Sequence, residues 1–485
     1  MQIVVDFLNN YLSGYILVFL LVAIGLYYSI KTKFVQIRHF GEGVRAVFSK
    51  HKGGAGSGLS SFQALTTAVA AQVGTGNIVG ACGAILIGGP GAIFWMWVIA
   101  FFGMATNYAE AVLAQKTREV GPDGEVHGGP VYYIKRAFSG KFGRALATFF
   151  AVAIVIACGF IGAMVQSNSI ATNVAGVFAS FGTDLSGKTW IIGAVVAALA
   201  GVIFIGGIKR IAAVTEKLVP IMAVLYLAGG ILVLLLNITS LPAAFGMIFK
   251  YAFLPQAILG GGFGAAIVKA IQKGAQRGLF SNEAGMGSTP HAHAQASVET
   301  PHEQGVVAMI GVFIDTFVVL TMTALVVLST VYSQDGALAG LVGTESASFA
   351  DLAAKLGYTD GNMVQRAFQI TFTRLFGSET LGNTVGSIFV AVCLFFFAFS
   401  TIISWNFFGE INFKYLFGKR ATILYSVIAI VFVFLGAIFE NSLVWGLSDL
   451  FNNLMVIPNV MALFALGGMV SSACKMKKNV ITTKE

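Results

Sequence analysis

The chain has 485 residues, of which 56% are hydrophobic before its 58 glycines are counted, and only 11% are charged. A soluble domain reaches about 45–50% apolar with glycine included, so this composition excludes a soluble enzyme and reads as a polytopic membrane protein. The net charge of +9 then belongs to membrane-flanking loops and gives no sign of a nucleic-acid partner.

Apolar runs predict eleven spans, at 12–30, 62–87, 90–114, 146–178, 189–207, 216–236, 256–290, 305–331, 387–409, 421–439 and 444–470. All read as helices, because no run alternates in the manner of a membrane barrel. The first is a retained span: Asp6 is the only charge before Lys31, so the basic start of a signal peptide is missing. The second carries no charge but holds Gln72-Val73-Gly74-Thr75-Gly76-Asn77 in mid-membrane. Each glycine costs a helix about 1 kcal/mol relative to alanine. Two of them around Thr75, followed by Asn77, predict a helix that unwinds at depth and lines a polar cavity with its freed backbone groups. Close helix packing is the competing use of such glycines.

Basic residues place the loops. Lys31, Lys33, Arg38, Arg45, Lys50 and Lys52 follow span 1, and Lys116, Arg118, Lys135, Arg136, Lys141 and Arg144 follow span 3. Lys209, Arg210, Lys217, Lys414, Lys419, Arg420 and the lysines of the tail fall on the same side. The other side holds only Lys188, Lys250, Lys355, Arg366 and Arg374. The expectation is an N-terminus outside and a C-terminus in the cytoplasm. Loop 332–386 then lies outside, with short surface helices and no separate domain. Cys82, Cys158, Cys393 and Cys474 are scattered, which speaks against a disulfide framework or a CxxC metal site.

Span 7, at 256–290, repeats the anomaly of span 2. Gly260-Gly261-Gly262-Phe263-Gly264 stands near its start. Lys269, Lys273 and Arg277 then form one helical stripe, and Phe280 to Ser288 brings Asn282, Glu283, Gly285 and Gly287. A plain loop between two short apolar pieces is the alternative, but it would set the neighbouring spans on the wrong sides for the charge pattern. Five spans separate the two breaks. An odd number inverts the second copy, so spans 2–6 (62–236) and 7–11 (256–470) read as inverted repeats behind an added first span. Interrupted segments at matching positions of two halves point to the binding site of a transporter.

Three stretches carry a family resemblance: Val73-Gly74-Thr75-Gly76-Asn77; Gly88-Gly89-Pro90-Gly91-Ala92-Ile93-Phe94-Trp95-Met96-Trp97; and Phe280 to Ser288 with Thr289-Pro290-His291-Ala292-His293. They resemble the alanine/glycine:cation symporter family, the sodium:alanine symporter branch of the amino acid–polyamine–organocation superfamily, from about Phe62 to Asn412. The resemblance implies a LeuT-type 5+5 fold, a bacterial or archaeal cytoplasmic (inner) membrane, and uptake of a small neutral amino acid, alanine or glycine, with Na⁺ or H⁺. Some members of the family carry glutamine.

With that resemblance, the substrate carboxylate is expected at Gly74, Thr75, Gly76 and Asn77, where a half-helix begins and favours an anion. The ammonium is expected near Phe280, Ala284 and Gly285, with Gln166 of span 4; an ordinary interhelical hydrogen bond is the other reading of Gln166. For Na⁺ the expected ligands are the carbonyls of Gln72 and Val73 and the hydroxyls of Ser400 and Thr401, which otherwise read as hydroxyls bonded to a carbonyl one turn earlier. Phe280 and Trp405 would cap the side-chain pocket, or simply pack. Asp315, an acid inside span 8, reads as a coupling residue for the cation or a proton, or as the partner of another polar group. Glu283 reads as a holder of backbone amides in the second break. Glu110 and Glu410 lie near span ends, where the interface gives them a plain role.

Two rival classes have weaker support. His291, His293, His302 and Glu303 would serve a metalloenzyme, but their spacing matches no compact zinc pattern. A channel would repeat its filter around a symmetric pore, and nothing here repeats four-fold.

Overall fold

The computed structural model describes residues 2–49, 58–122, 124–185, 187–253, 263–333, 336–339, 353–439 and 441–481. They form a helical membrane protein with one small hairpin, Glu119–Val120 against Val126–His127. Seven helices are long and apolar enough to cross a bilayer: Ala92–Thr117, Gly140–Ser180, Gly207–Leu236, Pro301–Thr330, Glu379–Phe417, Lys419–Gly436 and Val444–Ala465. An eighth crossing is the pair Ser61–Gln72 and Gly76–Gly88, bent by 49° at its junction. Shorter apolar helices, Val18–Lys31 and Thr189–Phe204, fall on the expected spans 1 and 5, and Phe263–Asn282 falls on span 7.

The outer helices turn large apolar side chains outward, among them Val195, Leu199 and Val202, Ile221, Val224 and Ile231, and Ile423, Val427 and Val431. Such a surface needs lipid, not water, around it. The long Glu379–Phe417 helix runs through the middle. It packs on Ala163–Ser180, Ser61–Gln72, Gly207–Leu236 and the Met363–Phe376 helix. At about 1.5 Å per residue its 39 residues run well past the ~30 Å hydrocarbon core of a bilayer.

One expectation shifts and another is met in its described part. The segment after span 8 contributes Met363–Phe376, a 14-residue helix that buries Met363, Val364, Ala367, Phe368 and Phe372; it joins the core where a surface helix is expected. Span 7 runs as one uninterrupted helix from Phe263 to Asn282, through Lys273 and Arg277. Most of the expected glycine break at Gly260–Gly264 lies outside the described residues. Neither described charge of the stripe faces lipid alone: Lys273 Nζ donates to Gln276 Oε1 at 3.1 Å, and Arg277 lies 3.9 Å from Asp449 and over the Trp445 ring. The unwinding falls at 283–289, in the expected Phe280–Ser288 stretch, before the short helix Pro290–Ala294.

Candidate functional site

The 61–72 helix starts on a reciprocal cap: Ser60 Oγ accepts from Gln63 N at 3.0 Å, and Ser60 N donates to Gln63 Oε1 at 3.1 Å. It ends where Val73 leaves helical geometry (φ −82°, ψ 82°). The released backbone closes on itself. Gly74 N donates to Gln72 O and to Asn77 Oδ1, both at 3.0 Å, and Asn77 N donates to Gly74 O at 3.3 Å. The chain resumes as a π-helical turn, Gly76–Gly80, and then Ala81–Gly88. π-Helical turns leave backbone groups without their usual partners and gather at functional sites. Two further ones, Val155–Gly162 and Phe313–Leu320, lie in helices packed around this break.

The second break is forced by conformation. Glu283, Gly285 and Gly287 all have positive φ, at +56°, +88° and +82°, which no helix accommodates. The group that steadies it is Glu110, inside the 92–117 helix. Its carboxylate accepts from the amides of Gly285 and Gly287, each at 3.0 Å, and from Asn459 Nδ2 at 2.7 Å. Asn459 also donates to Gly285 O at 2.9 Å. Asn107 accepts from Thr289 Oγ1 at 2.9 Å. Glu283 has a different task from the one expected of it: its carboxylate accepts from Ser288 Oγ at 2.5 Å and from the Trp405 indole. The amide-holding role falls to Glu110, for which the sequence predicts only a plain place near a span end. Its place on the helix, three residues after Asn107 and on the same face, was the available signal.

The two breaks face each other. A Cβ added to Gly76 would lie 3.1 Å from Ser281 Cα and 3.3 Å from the Phe280 ring. Asp315 ties them together: its carboxylate accepts from Asn77 Nδ2 at 2.6 Å, Ser281 Oγ at 2.9 Å and Thr316 Oγ1 at 2.7 Å. Gln72 adds a second tie, donating from Nε2 to the Asn282 carbonyl at 2.8 Å. A buried acid with three donors is fully satisfied here.

Beside the first break stands the middle of the 379–417 helix. Thr401 Oγ1 lies 2.9 Å from Ala70 O and 3.0 Å from Phe397 O, and Ser400 Oγ lies 3.4 Å from Ala70 O and 2.9 Å from Phe397 O. The carbonyls that meet these hydroxyls are therefore those of Ala70 and, at 3.5 Å, Ala71, rather than those of Gln72 and Val73. Gln72 O is taken by the Gly74 amide. The reason is geometric: a hydroxyl approaching from outside meets the last open carbonyls of the intact helix, before the turn folds its own carbonyls inward. Two hydroxyls and two carbonyls converging in a dry core form an all-oxygen shell of the kind that suits a hard cation.

Gly74 lets these elements meet. A Cβ there would run into Thr401 Oγ1 and lie 3.5 Å from Gln166 Oε1. Gln166 itself accepts from Thr75 N at 3.3 Å. Phe280 and Trp405 meet edge-to-face with centroids 5.9 Å apart, and Trp405 also covers Gly162, where any Cβ would strike its ring. Gln72, Val73, Gly74, Thr75, Gly76, Asn77, Gln166, Phe280, Asp315, Ser400, Thr401 and Trp405 are thus brought to one buried region. Ala284 and Gly285 turn away from it: a Cβ on Gly103 would touch Ala284 Cβ, and both backbone polar groups of Gly285 are engaged by Glu110 and Asn459. Thr75 Oγ1, Gln72 Oε1 and Ser404 Oγ are buried yet make no hydrogen bond, although such groups are normally satisfied.

The sodium:alanine symporter family profile matches residues 1–484. The chain belongs to the sodium:alanine symporter family. As a family member it is a transporter and not an enzyme. It is 40% identical over 476 residues to the sodium/alanine symporter AgcS of Methanococcus maripaludis, covering 97% of this chain and 96% of that protein. It is 35% identical to two Bacillus subtilis proteins, the probable sodium/glutamine symporter GlnT over 474 residues and the amino-acid carrier protein AlsT over 477. Each match covers 97% of this chain and 90% of the relative. It is thus an amino-acid symporter of the membrane.

Proposed function

We propose that this protein imports a small neutral amino acid, alanine or glycine, driven by a Na⁺ gradient across a bacterial cytoplasmic membrane. The observation that carries this reading is the closed meeting of two unwound segments, where Thr75 Oγ1 and Gln72 Oε1 lie buried with no hydrogen bond. Both groups suit a polar solute that is absent from the protein's own bonding scheme. The substrate carboxylate sits at Thr75 and Gln166, by the start of the Gly76–Gly88 half-helix, whose dipole favours an anion. Phe280 and Trp405, which meet edge-to-face, bound its side chain and select for a small one. Na⁺, as the co-transported ion, takes the oxygens of Ala70, Ala71, Ser400 and Thr401. Gly285 and Ala284 shape the second break from behind instead of touching the solute.

The architecture proposed around this site has eleven spans. Spans 2–6 and 7–11 are inverted repeats in a LeuT-type arrangement, with the N-terminus outside and the C-terminus in the cytoplasm. Two cavities of about 700 and 730 Å³ support alternating access. One is lined by Thr172, Asn173, Gln365 and Glu379, the other by Glu125, Phe407, Glu410 and Lys414. They lie toward opposite ends of the 379–417 helix, with the site buried between.

A second reading keeps H⁺ as the coupling ion, because Asp315 is fully buried and bonds to both breaks. Glutamine is the second substrate class, through the likeness to GlnT. Uptake of radiolabelled alanine into proteoliposomes, with Na⁺ and pH gradients imposed separately and each amino acid added as competitor, tests all of these. Accumulation driven by Na⁺ and competed by glycine is expected. Accumulation driven only by a pH gradient overturns the Na⁺ assignment, and passive equilibration overturns symport.

A further inference from the structure

His302 opens the 301–312 helix, whose first turn is capped by Thr300. Against this helix packs Phe40–Phe48, so closely that a Cβ on Gly43 would lie 2.6 Å from the Val306 carbonyl. The contact gathers His39, Glu42 and His302. Glu42 Oε2 lies 3.0 Å from His39 Nδ1, and Glu42 Oε1 lies 3.6 Å from His302 Nε2. One ligand atom from each of the three falls within 4.8 Å of the others. The His302 side chain is 1% exposed. Its Nδ1 meets Tyr108 Oη at 2.8 Å, while its Nε2, turned toward Glu42, makes no hydrogen bond.

Two imidazoles and one carboxylate are the protein ligands of an open zinc site, with metal–ligand distances of about 2.0–2.2 Å. Tetrahedral ligands at that radius stand about 3.3 Å apart; each imidazole lies close to that distance from its own Glu42 oxygen, so the carboxylate faces both rings at once. Tyr108 supplies the outer contact that orients a ligating imidazole. The cluster opens on a cavity of about 420 Å³ that Ser471 and Cys474 also line, which gives an ion a way in. Lys31, Arg38 and Arg45 line the same cavity, so general electrostatic attraction does not draw a cation here. Affinity has to come from direct ligation by imidazole nitrogen, which favours borderline transition ions over Ca²⁺ or Mg²⁺.

We propose that His39, Glu42 and His302 form a transition-metal site of the Zn²⁺ class, separate from the transport site, that ties the 40–48 helix to the 301–312 helix. The test uses the purified full-length protein, freed of any purification tag and stripped with chelator, titrated with Zn²⁺ against a competing chromophoric indicator. One bound equivalent is expected in the wild type. Outer contacts of a metal site are worth about 10–100-fold in affinity; Tyr108→Phe should fall in that range, and His39→Ala and His302→Ala should exceed about 100-fold. His127→Ala, on the hairpin, should bind as the wild type does. His39 is partly exposed, so His39→Ala tests the site even where loss of the buried His302 harms folding. Absence of Zn²⁺ binding by the wild type, or unchanged affinity in His39→Ala, overturns the proposal.

Discussion

Asn77 illustrates how one side chain closes a broken helix and joins it to a neighbour. Its Oδ1 caps the Gly74 amide, and its Nδ2 donates to both the carboxylate and the carbonyl of Asp315. Asn77→Ala removes both ends of that tie, leaving Asp315 short of a donor in a dry core, and is expected to abolish coupled uptake. Retained wild-type uptake in proteoliposomes would place the site elsewhere. Thr401 touches Ala70 and Phe397 through one oxygen. An interaction with an ion is worth about 1.5–3 kcal/mol, or about 10–100-fold in affinity. Thr401→Ala should therefore raise the half-saturating Na⁺ concentration by about 10–100-fold, while Thr401→Ser, which keeps the hydroxyl, stays near wild type. Gly74→Ala drives a methyl group into Thr401 Oγ1 and should lose uptake as fully as Asn77→Ala. The types of these residues were legible in sequence because glycine, threonine and asparagine are costly in a lipid-spanning helix. Which carbonyl met which hydroxyl was not, since that depends on the axial offset of two helices more than three hundred positions apart.

At the scale of elements, the two breaks are held by different means. The first is closed mostly by its own side chain, Asn77. The second is held from outside, by Glu110 on the 92–117 helix and Asn459 on the 441–465 helix. Glu110→Ala would orphan the amides of Gly285 and Gly287, at about 1–3 kcal/mol for each buried donor. A lowered unfolding temperature in detergent, with uptake lost in step, is the expected outcome. An unfolding temperature equal to wild type would show that the second break does not depend on this carboxylate. The sequence marks 256–290 as irregular at Gly260–Gly264, which lies mostly outside the described residues, and at Phe280–Ser288, where the chain unwinds. Three conformational demands at alternate positions, Glu283, Gly285 and Gly287, fall in the second stretch. The charged stripe before it is tolerated as helix because Asp449, Trp445 and Gln276 receive it, and those partners are invisible from span 7 alone.

For the whole molecule, orientation is the property most open to test. In a Cys474→Ser background, Thr359→Cys, on the stretch before the 363–376 helix, should react with a membrane-impermeant maleimide in intact cells. Arg420→Cys, at the far end of the 379–417 helix, should react only after the membrane is opened. The reverse pattern would invert the topology read from the loop charges.

Membrane class, the helical character of the apolar runs and the position of the first break followed from the sequence itself. Lipid offers no hydrogen bonds, so apolar length and any polar interruption of it are visible locally, residue by residue. Only the tertiary structure decided that Glu110 rather than Glu283 holds the second break, that Ala70 supplies the carbonyl opposite Thr401, and that His302 keeps company with His39 and Glu42. Each of these is a meeting of side chains from distant helices, and it is set by how those helices pack rather than by any pattern along the chain.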